Sequence, residues 1–428
     1  MIQNPLKTRR DRALGAGAEL FYQTPLEIVK GEGAYLFDRD GRRYVDLYNN
    51  VPCVGHGNPA VVRAMSEQQA TLNVHSRYLH EGIVRFAERF TALHHDAIES
   101  VVFSCSGTEA NDVALSMARA VTGQQGIVCT DSAYHGNAGQ VGALTCVGLE
   151  ASANQDVRGF PYPDCYRPLL NDVDNDTLCE AYLARVEAAI TQLKSSGHGF
   201  AALIACPIFA NEGLPDIPQG LMARIAELVH REGGLMIADE VQSGYGRTGQ
   251  WWGYQREQFD PDIVVTGKPM GNGLPLAATA ARREHVEAFR AATGYFNTFA
   301  STPLQAAVGM AVLDEIERLD LVSNAKDTGA ELLRRISGLA DTCGGVGDVR
   351  GSGLFISIEM VSDRNSKAPD PATARLLAER LKDSGFLLSV AGAHDNVVKI
   401  RPPLVFGQEH AVPFLDALEH CLGGLHAG

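Results

Sequence analysis

The sequence predicts an α/β fold with a mostly parallel central sheet, on three observations. Short apolar runs recur between residues 100 and 280: VVFSC (101–105), IVCT (127–130), AALIA (201–205), LMIAD (235–239) and DIVVTG (262–267). They alternate with stretches whose apolar residues have helical spacing, such as residues 108–121 and 219–232. The runs are apolar throughout and do not alternate with polar residues, which is the condition of strands covered on both faces.

The N-terminal part reads as a hairpin, AYLFDRDGRRYVDL (34–47), turning at Asp40-Gly41. After residue 303 the pattern changes. One long helical region (303–338) leads into VRGSGLFISIEM, a helix near 371–384, the runs GFLLSV and NVVKIRPP, and a last helix near 408–422. This is the pattern of a smaller α+β unit. Three segments are therefore expected: 1–50 joining the small domain, 51–303 as the large domain, and 304–428 as the C-terminal small domain.

Composition narrows the function. The chain of 428 residues carries a net charge of −14, which disfavours nucleic acid and anionic membrane as partners. Its nine cysteines are scattered, with no C-x-x-C pair, as in a reducing compartment and unlike a zinc site or disulfide framework. The opening MIQNPLKTRRDRALG lacks an apolar targeting core, and no run is long enough to span a bilayer, so a cytoplasmic enzyme is expected.

In a parallel α/β sheet, ligands sit beyond the carboxyl ends of the strands. Three features stand there. In SCSGTEAND, Ser106, Gly107 and Thr108 lead from a strand into a helix, whose free N–H groups favour a phosphate. Ser and Thr equally cap plain turns. Asp239 ends the run LMIAD at the edge of the core, where a carboxylate needs a partner or else merely caps a turn. Lys268 ends DIVVTGK beside Gly267, Gly271 and Gly273. Such a lysine either reaches solvent or, with its pKa lowered, attacks a carbonyl. Tyr134, in AYHG, offers an aromatic face. A lysine, a carboxylate and a phosphate cradle at strand ends together match the needs of pyridoxal 5'-phosphate.

The motifs GAYLFDRDGRRYVDL, VGHGNPAVV, SGTEAND, AYHG, IADEVQSGYGRTG, TGKPMGNGLP, FNTFASTP and IRPPL resemble those of the class III (ω-amino acid) aminotransferases, fold type I pyridoxal-phosphate enzymes, from about residue 20 to the C-terminus. The resemblance implies Lys268 as the Schiff-base lysine, Asp239 on the pyridine nitrogen, and Gly107 and Thr108, helped by Ser106, on the phosphate. It implies Tyr134 stacked on the ring, Val241 packed behind it and Gln242 on the ring oxygen. Thr298 would reach the phosphate of a neighbouring subunit, which implies a homodimer with shared sites; a dimer of dimers is also open.

The segments DLYNNVPCVGHGNP, LNVHSRYLHEGIVRFAERF, FPYPDCYRP and HDNVVKIRPP resemble the ethanolamine-phosphate phospho-lyase branch of that family. Many family transaminases carry E-P-x-Q-G-E-G where this chain reads CPIFANEG, so Cys206 and Asn211 stand in place of glutamates. The second glutamate typically masks the carboxylate-binding arginine, which corresponds to Arg401. An unmasked Arg401 suits a substrate that always carries an anion. Glu212 could restore the mask by swinging into its place. Arg77, with His75 beside it, and Asn50 are further candidates for the substrate pocket. The expected reaction is elimination of phosphate from O-phosphoethanolamine or a similar phosphorylated amino-alcohol; the alternative is transamination from an amine or ω-amino acid to pyruvate or 2-oxoglutarate.

Overall fold

A computed structural model describes residues 4–145 and 155–426. Its largest sheet has seven strands in the order Ser100–Ser104, Ala277–Ala281, Ile263–Thr266, Leu235–Asp239, Ala202–Ala205, Ile127–Thr130 and Val157–Phe160. From Ile263–Thr266 outward to Val157–Phe160 every neighbouring pair is parallel. Ala277–Ala281 runs antiparallel to both its neighbours. Only residues 267–276 join it to Ile263–Thr266, too short a link for the crossover that a parallel pair requires. The five expected strands are all present. Val157–Phe160 and Ala277–Ala281 are additions, the first short and the second built almost wholly of alanine, which has little strand propensity.

The strands are apolar throughout because helices cover the sheet. Gly107–Thr122 buries Val113, Ala114, Leu115, Met117 and Ala118, and Leu221–Arg231 buries Leu221, Met222, Ile225 and Leu228. Every residue of Ile263–Thr266 and of Ala202–Ala205 is buried.

Beyond residue 303 the expected single helical region is two helices, Pro303–Arg318 and Leu321–Ala340. The break falls at Asp320, whose φ of 48° lies in the left-handed region and cannot continue a helix. A second, antiparallel sheet follows, ordered Val346–Ser352, Phe355–Asp363, Val397–Ile400 and Ser389–Ala391. The N-terminal hairpin forms as expected, with strands Tyr35–Asp38 and Arg43–Asp46. The Asp38 carboxylate accepts the amides of Asp40 (3.0 Å) and Arg42 (2.9 Å), and Gly41 takes φ +82°, which a side chain resists. Ile28–Glu32 extends this hairpin, and Phe386–Leu387 pairs with Arg43–Asp46 in parallel, so the N-terminal strands join the C-terminal part of the chain. Among the described residues no helix is long and apolar enough to cross a membrane.

Candidate active site

The parallel strands point their carboxyl ends at one cavity of about 220 Å³, lined by Ser106, Gly107, Thr108, Tyr134, His135, Gly136, Cys206, Asn211, Asp239, Val241, Gln242 and Lys268. Nine residues nominated from the sequence therefore meet in one place.

One wall is the start of the helix Gly107–Thr122. The Ser106 hydroxyl caps it, accepting the Glu109 amide at 3.2 Å, which leaves the amides of Gly107 and Thr108 without an intrahelical acceptor. A Cβ on Gly107 would stand 3.0 Å from the Val241 side chain, and one on Gly267 would stand 3.3 Å from the Gly107 amide nitrogen. Glycine at these two positions lets the strand ends close up behind an anion held by the helix.

Facing that wall is Asp239, buried at 5% exposure. Its Oδ2 accepts from Asn111 Nδ2 (3.0 Å) and lies 2.7 Å from His135 Nδ1, and its Oδ1 accepts the Val241 amide at 3.1 Å. The Asn111 amide nitrogen also donates to the His135 carbonyl at 2.8 Å. This carboxylate is held by Asn111, His135 and a backbone amide, with no lysine or arginine among the described residues in ion-pair contact. His135 and Asn111 were not nominated. Both lie inside motifs singled out for other residues: Asn111 is four residues beyond Gly107, on the same helix face, and His135 follows Tyr134.

Lys268, one residue past Gly267, is partly buried and makes no hydrogen bond among the described residues. Burial pushes its ammonium pKa down, the positive charge of Arg401 lowers it further, and Asp239 opposes both. The free amine, the nucleophilic form, is thereby favoured. The residues present fit pyridoxal phosphate: an unengaged amine, a buried carboxylate aimed into the cavity, and a helix start whose amides are free.

Tyr134 is 40% exposed at the cavity's edge, and its carbonyl accepts Asn211 Nδ2 at 3.0 Å. Asn211 in turn accepts Gln242 Nε2 at 2.9 Å, and Gln242 Oε1 accepts from Arg401. The arginine is thus met by a neutral amide. Its Nε donates to the Tyr48 carbonyl at 3.0 Å, and its guanidinium lies 4.9 Å from the Tyr48 ring centroid. Glu212 does not take the mask's place: it is buried, and its Oε1 accepts the Thr130 hydroxyl at 2.6 Å. Among the described residues no carboxylate stands within ion-pair distance of Arg401, although the guanidinium is only 5% exposed and burial lowers its pKa. In this arrangement Gln242 is spoken for by Asn211 and Arg401, a contact the sequence does not reveal.

Of the other residues singled out in the sequence, Arg401 reaches the cavity only through Gln242, and Arg77, His75, Thr298 and Asn50 do not line it. Arg77 is exposed, in a turn between the helices Pro59–Thr71 and Glu81–Thr91, with its guanidinium 4.3 Å from the Phe296 ring centroid. His75 packs there too, against Tyr78 and Phe296. Thr298 is exposed in the adjoining segment. Asn50 is buried, four residues past the strand Arg43–Asp46.

Comparison with known proteins identifies the family. The family model for class III aminotransferases matches residues 18–422. A solved phospholyase from Arthrobacter, in complex with phosphoethanolamine, superposes with a TM-score of 0.94 at 42% identity, over 98% of this chain and 99% of that one. An alanine–glyoxylate aminotransferase 2-like protein of Drosophila melanogaster is 37% identical over 96% of this chain and 86% of its own length. An ethanolamine-phosphate phospho-lyase homolog of Caenorhabditis elegans is 34% identical over 97% of this chain and 92% of its own length. A match of this extent, on a chain that gathers the lysine, the carboxylate and the helix start at its strand ends, means that the protein belongs to the class III aminotransferase family.

Proposed function

We propose that this protein is a pyridoxal-phosphate-dependent phospho-lyase that converts O-phosphoethanolamine, or a similar phosphorylated amino-alcohol, into an aldehyde, ammonia and phosphate. The observation that carries this reading is Arg401: a buried guanidinium behind the cavity-lining Gln242, met by that neutral amide and, among the described residues, by no carboxylate within ion-pair distance. A buried cation without a counter-charge is costly, and a substrate that always brings an anion supplies one. A transaminase alternating between anionic and anion-free substrates needs a carboxylate mask here, and Asn211 and Glu212 do not provide it. The likeness to the phosphoethanolamine-bound phospholyase supports the same reading.

The residues divide the work as follows. The amides of Gly107 and Thr108 would hold the cofactor phosphate, and Asp239, fixed by His135 and Asn111, would keep the ring nitrogen protonated. Tyr134 and Val241, which both line the cavity, would pack against the ring. The cofactor, when bound, supplies an electron sink for the carbon next to the substrate nitrogen. Lys268 Nζ would remove the proton from that carbon, and its lowered pKa favours the free amine that a base requires. Arg401 orients the phosphate that departs from the adjacent carbon.

A second copy of the chain is proposed to complete the site. Tyr78, Leu79, Phe296 and Phe299 are exposed apolar residues in two adjoining segments, the second of which carries Thr298. Large apolar side chains gathered on a surface are the mark of an interface.

The test is direct. Holoenzyme is incubated with phosphoethanolamine and no keto acid, and inorganic phosphate is measured. Steady release over many turnovers is expected. No release, together with alanine formed from pyruvate and an amine, would establish the transaminase reading, which the aminotransferase-like relative favours.

A further inference from the structure

Arg401 is not the only buried cation behind the cavity. Lys399 lies on the strand Val397–Ile400 and Arg401 directly follows that strand, two residues on, so both side chains leave the same face. Each is 5% exposed, and each places its charge 5.7 Å from the centroid of the Phe355 ring. Among the described residues neither is within ion-pair distance of a carboxylate. Among the described residues, the single hydrogen bond of Lys399 Nζ goes to the carbonyl of Ala210, at 2.7 Å. Ala210 directly precedes the cavity-lining Asn211, just as Arg401 holds the cavity-lining Gln242. An ammonium has three donors, so Lys399 retains two.

From this pairing we infer that Lys399 and Arg401 together form a dianion site, and that Lys399 is the residue selecting a phosphomonoester over a carboxylate substrate. The inference rests on the phospho-lyase reading and names the group within it that sets the charge preference. A carboxylate satisfies one guanidinium; a phosphate dianion has charge and oxygens for two cations.

The charges around Lys399 agree. Its pKa is pushed down to about 7, first by burial, then by Arg401 and Lys268, while Cys206 and Glu212 pull it up. Burial pushes the Cys206 thiol up, so it is neutral at physiological pH, and burial likewise raises the Glu212 carboxyl. The Asp46 carboxylate acts on Arg401 and Asp239 acts on Lys268, whereas Lys399 is offset only by Cys206 and Glu212. An arriving dianion would offset the cations directly, raise the lysine's proton affinity, and draw a proton from solvent.

Calorimetry of holoenzyme with ethyl phosphate tests this, because the cofactor then fills its own phosphate cradle and ethyl phosphate brings no amine. Titrations at pH 8 in buffers of different ionisation enthalpy should show uptake of about one proton per site. Lys399→Met should abolish the uptake and weaken ethyl phosphate by at least about tenfold, while changing propionate affinity much less. Lys399→Arg should restore affinity without uptake, since arginine is always charged; it separates charge from mere space-filling, and cofactor absorbance checks that each variant is folded. Ethyl phosphate binding in Lys399→Met with wild-type affinity and uptake would overturn the inference. So would equal losses for ethyl phosphate and propionate. If the wild type releases no phosphate from phosphoethanolamine, the phospho-lyase reading falls by itself, and these titrations still decide whether Lys399 prefers a dianion.

Discussion

Replacing Arg401 by methionine probes the centre of the proposed function. The change keeps most of the buried volume and removes the charge. The guanidinium is buried, donates to Tyr48 and Gln242, and among the described residues has no carboxylate within ion-pair distance, Asp46 acting on it only from further off, so a substrate anion would be its direct counter-charge. Removing one member of a desolvated, hydrogen-bonded charge pair costs about 2–5 kcal/mol. At about 1.4 kcal/mol per factor of ten, half-saturation by phosphoethanolamine should rise from about thirtyfold to a few thousandfold. Propylamine, which has no anion, should bind within about threefold of wild type, because it forgoes no ion pair. Both numbers come from titrating the visible absorbance of the bound cofactor with each amine. A second readout concerns Lys268, whose pKa the charge of Arg401 lowers. Without that charge the amine holds its proton to higher pH, so capture of free cofactor by the apo-protein should shift its pH dependence in the alkaline direction. Equal weakening of phosphoethanolamine and propylamine would refute the reasoning, since it would mean that Arg401 supports the fold of the pocket and not the anion.

Lys268→Ala should bind cofactor without the long-wavelength absorbance of the lysine-linked form, and phosphate release should fall on the order of 10³-fold or more; retention of that absorbance would assign the link to another amine. Glu240 gives a pH prediction. It is buried beside Asp239, accepts the amides of Gly253 (2.9 Å) and Tyr254 (2.8 Å), and burial raises its pKa to about 7 despite those donors. A carboxyl whose folded pKa exceeds its unfolded value of about 4.5 binds more protons in the folded state, so it weakens the fold as pH rises through that window, by up to about 1.4 kcal/mol per pH unit. Denaturant unfolding of Glu240→Gln between pH 4.5 and 7 should show a slope flatter by that amount; an unchanged slope would remove Glu240 as its source.

The cofactor-facing half of the site was legible because its signals are local. Asp239 and Lys268 each close a continuous apolar run, and Ser106-Gly107-Thr108 stands where an apolar run gives way to helical spacing. Strands of this composition lie side by side and in one direction, so their carboxyl ends meet whatever the loops do. Two strands of this sheet escaped recognition because Ala277–Ala281 has almost no strand-forming residues and Val157–Phe160 is four residues long with an arginine and a glycine in it.

The substrate-facing half was not legible in that way. Arg401 meets Gln242 across 159 positions, and Lys399 meets the carbonyl of Ala210 across 189. Arg77 had the right chemistry and lies on the surface against Phe296, while Glu212, the alternative mask, turns to Thr130. By itself the sequence determined the sheet, its strand ends and the three groups that suit the cofactor, since period and composition act over a few residues. Which cation faces which acceptor behind the cavity was decided by the docking of the C-terminal antiparallel sheet onto the loops after the parallel strands. That packing joins residues far apart in the chain, and a side chain's partner across such an interface is set by the whole fold.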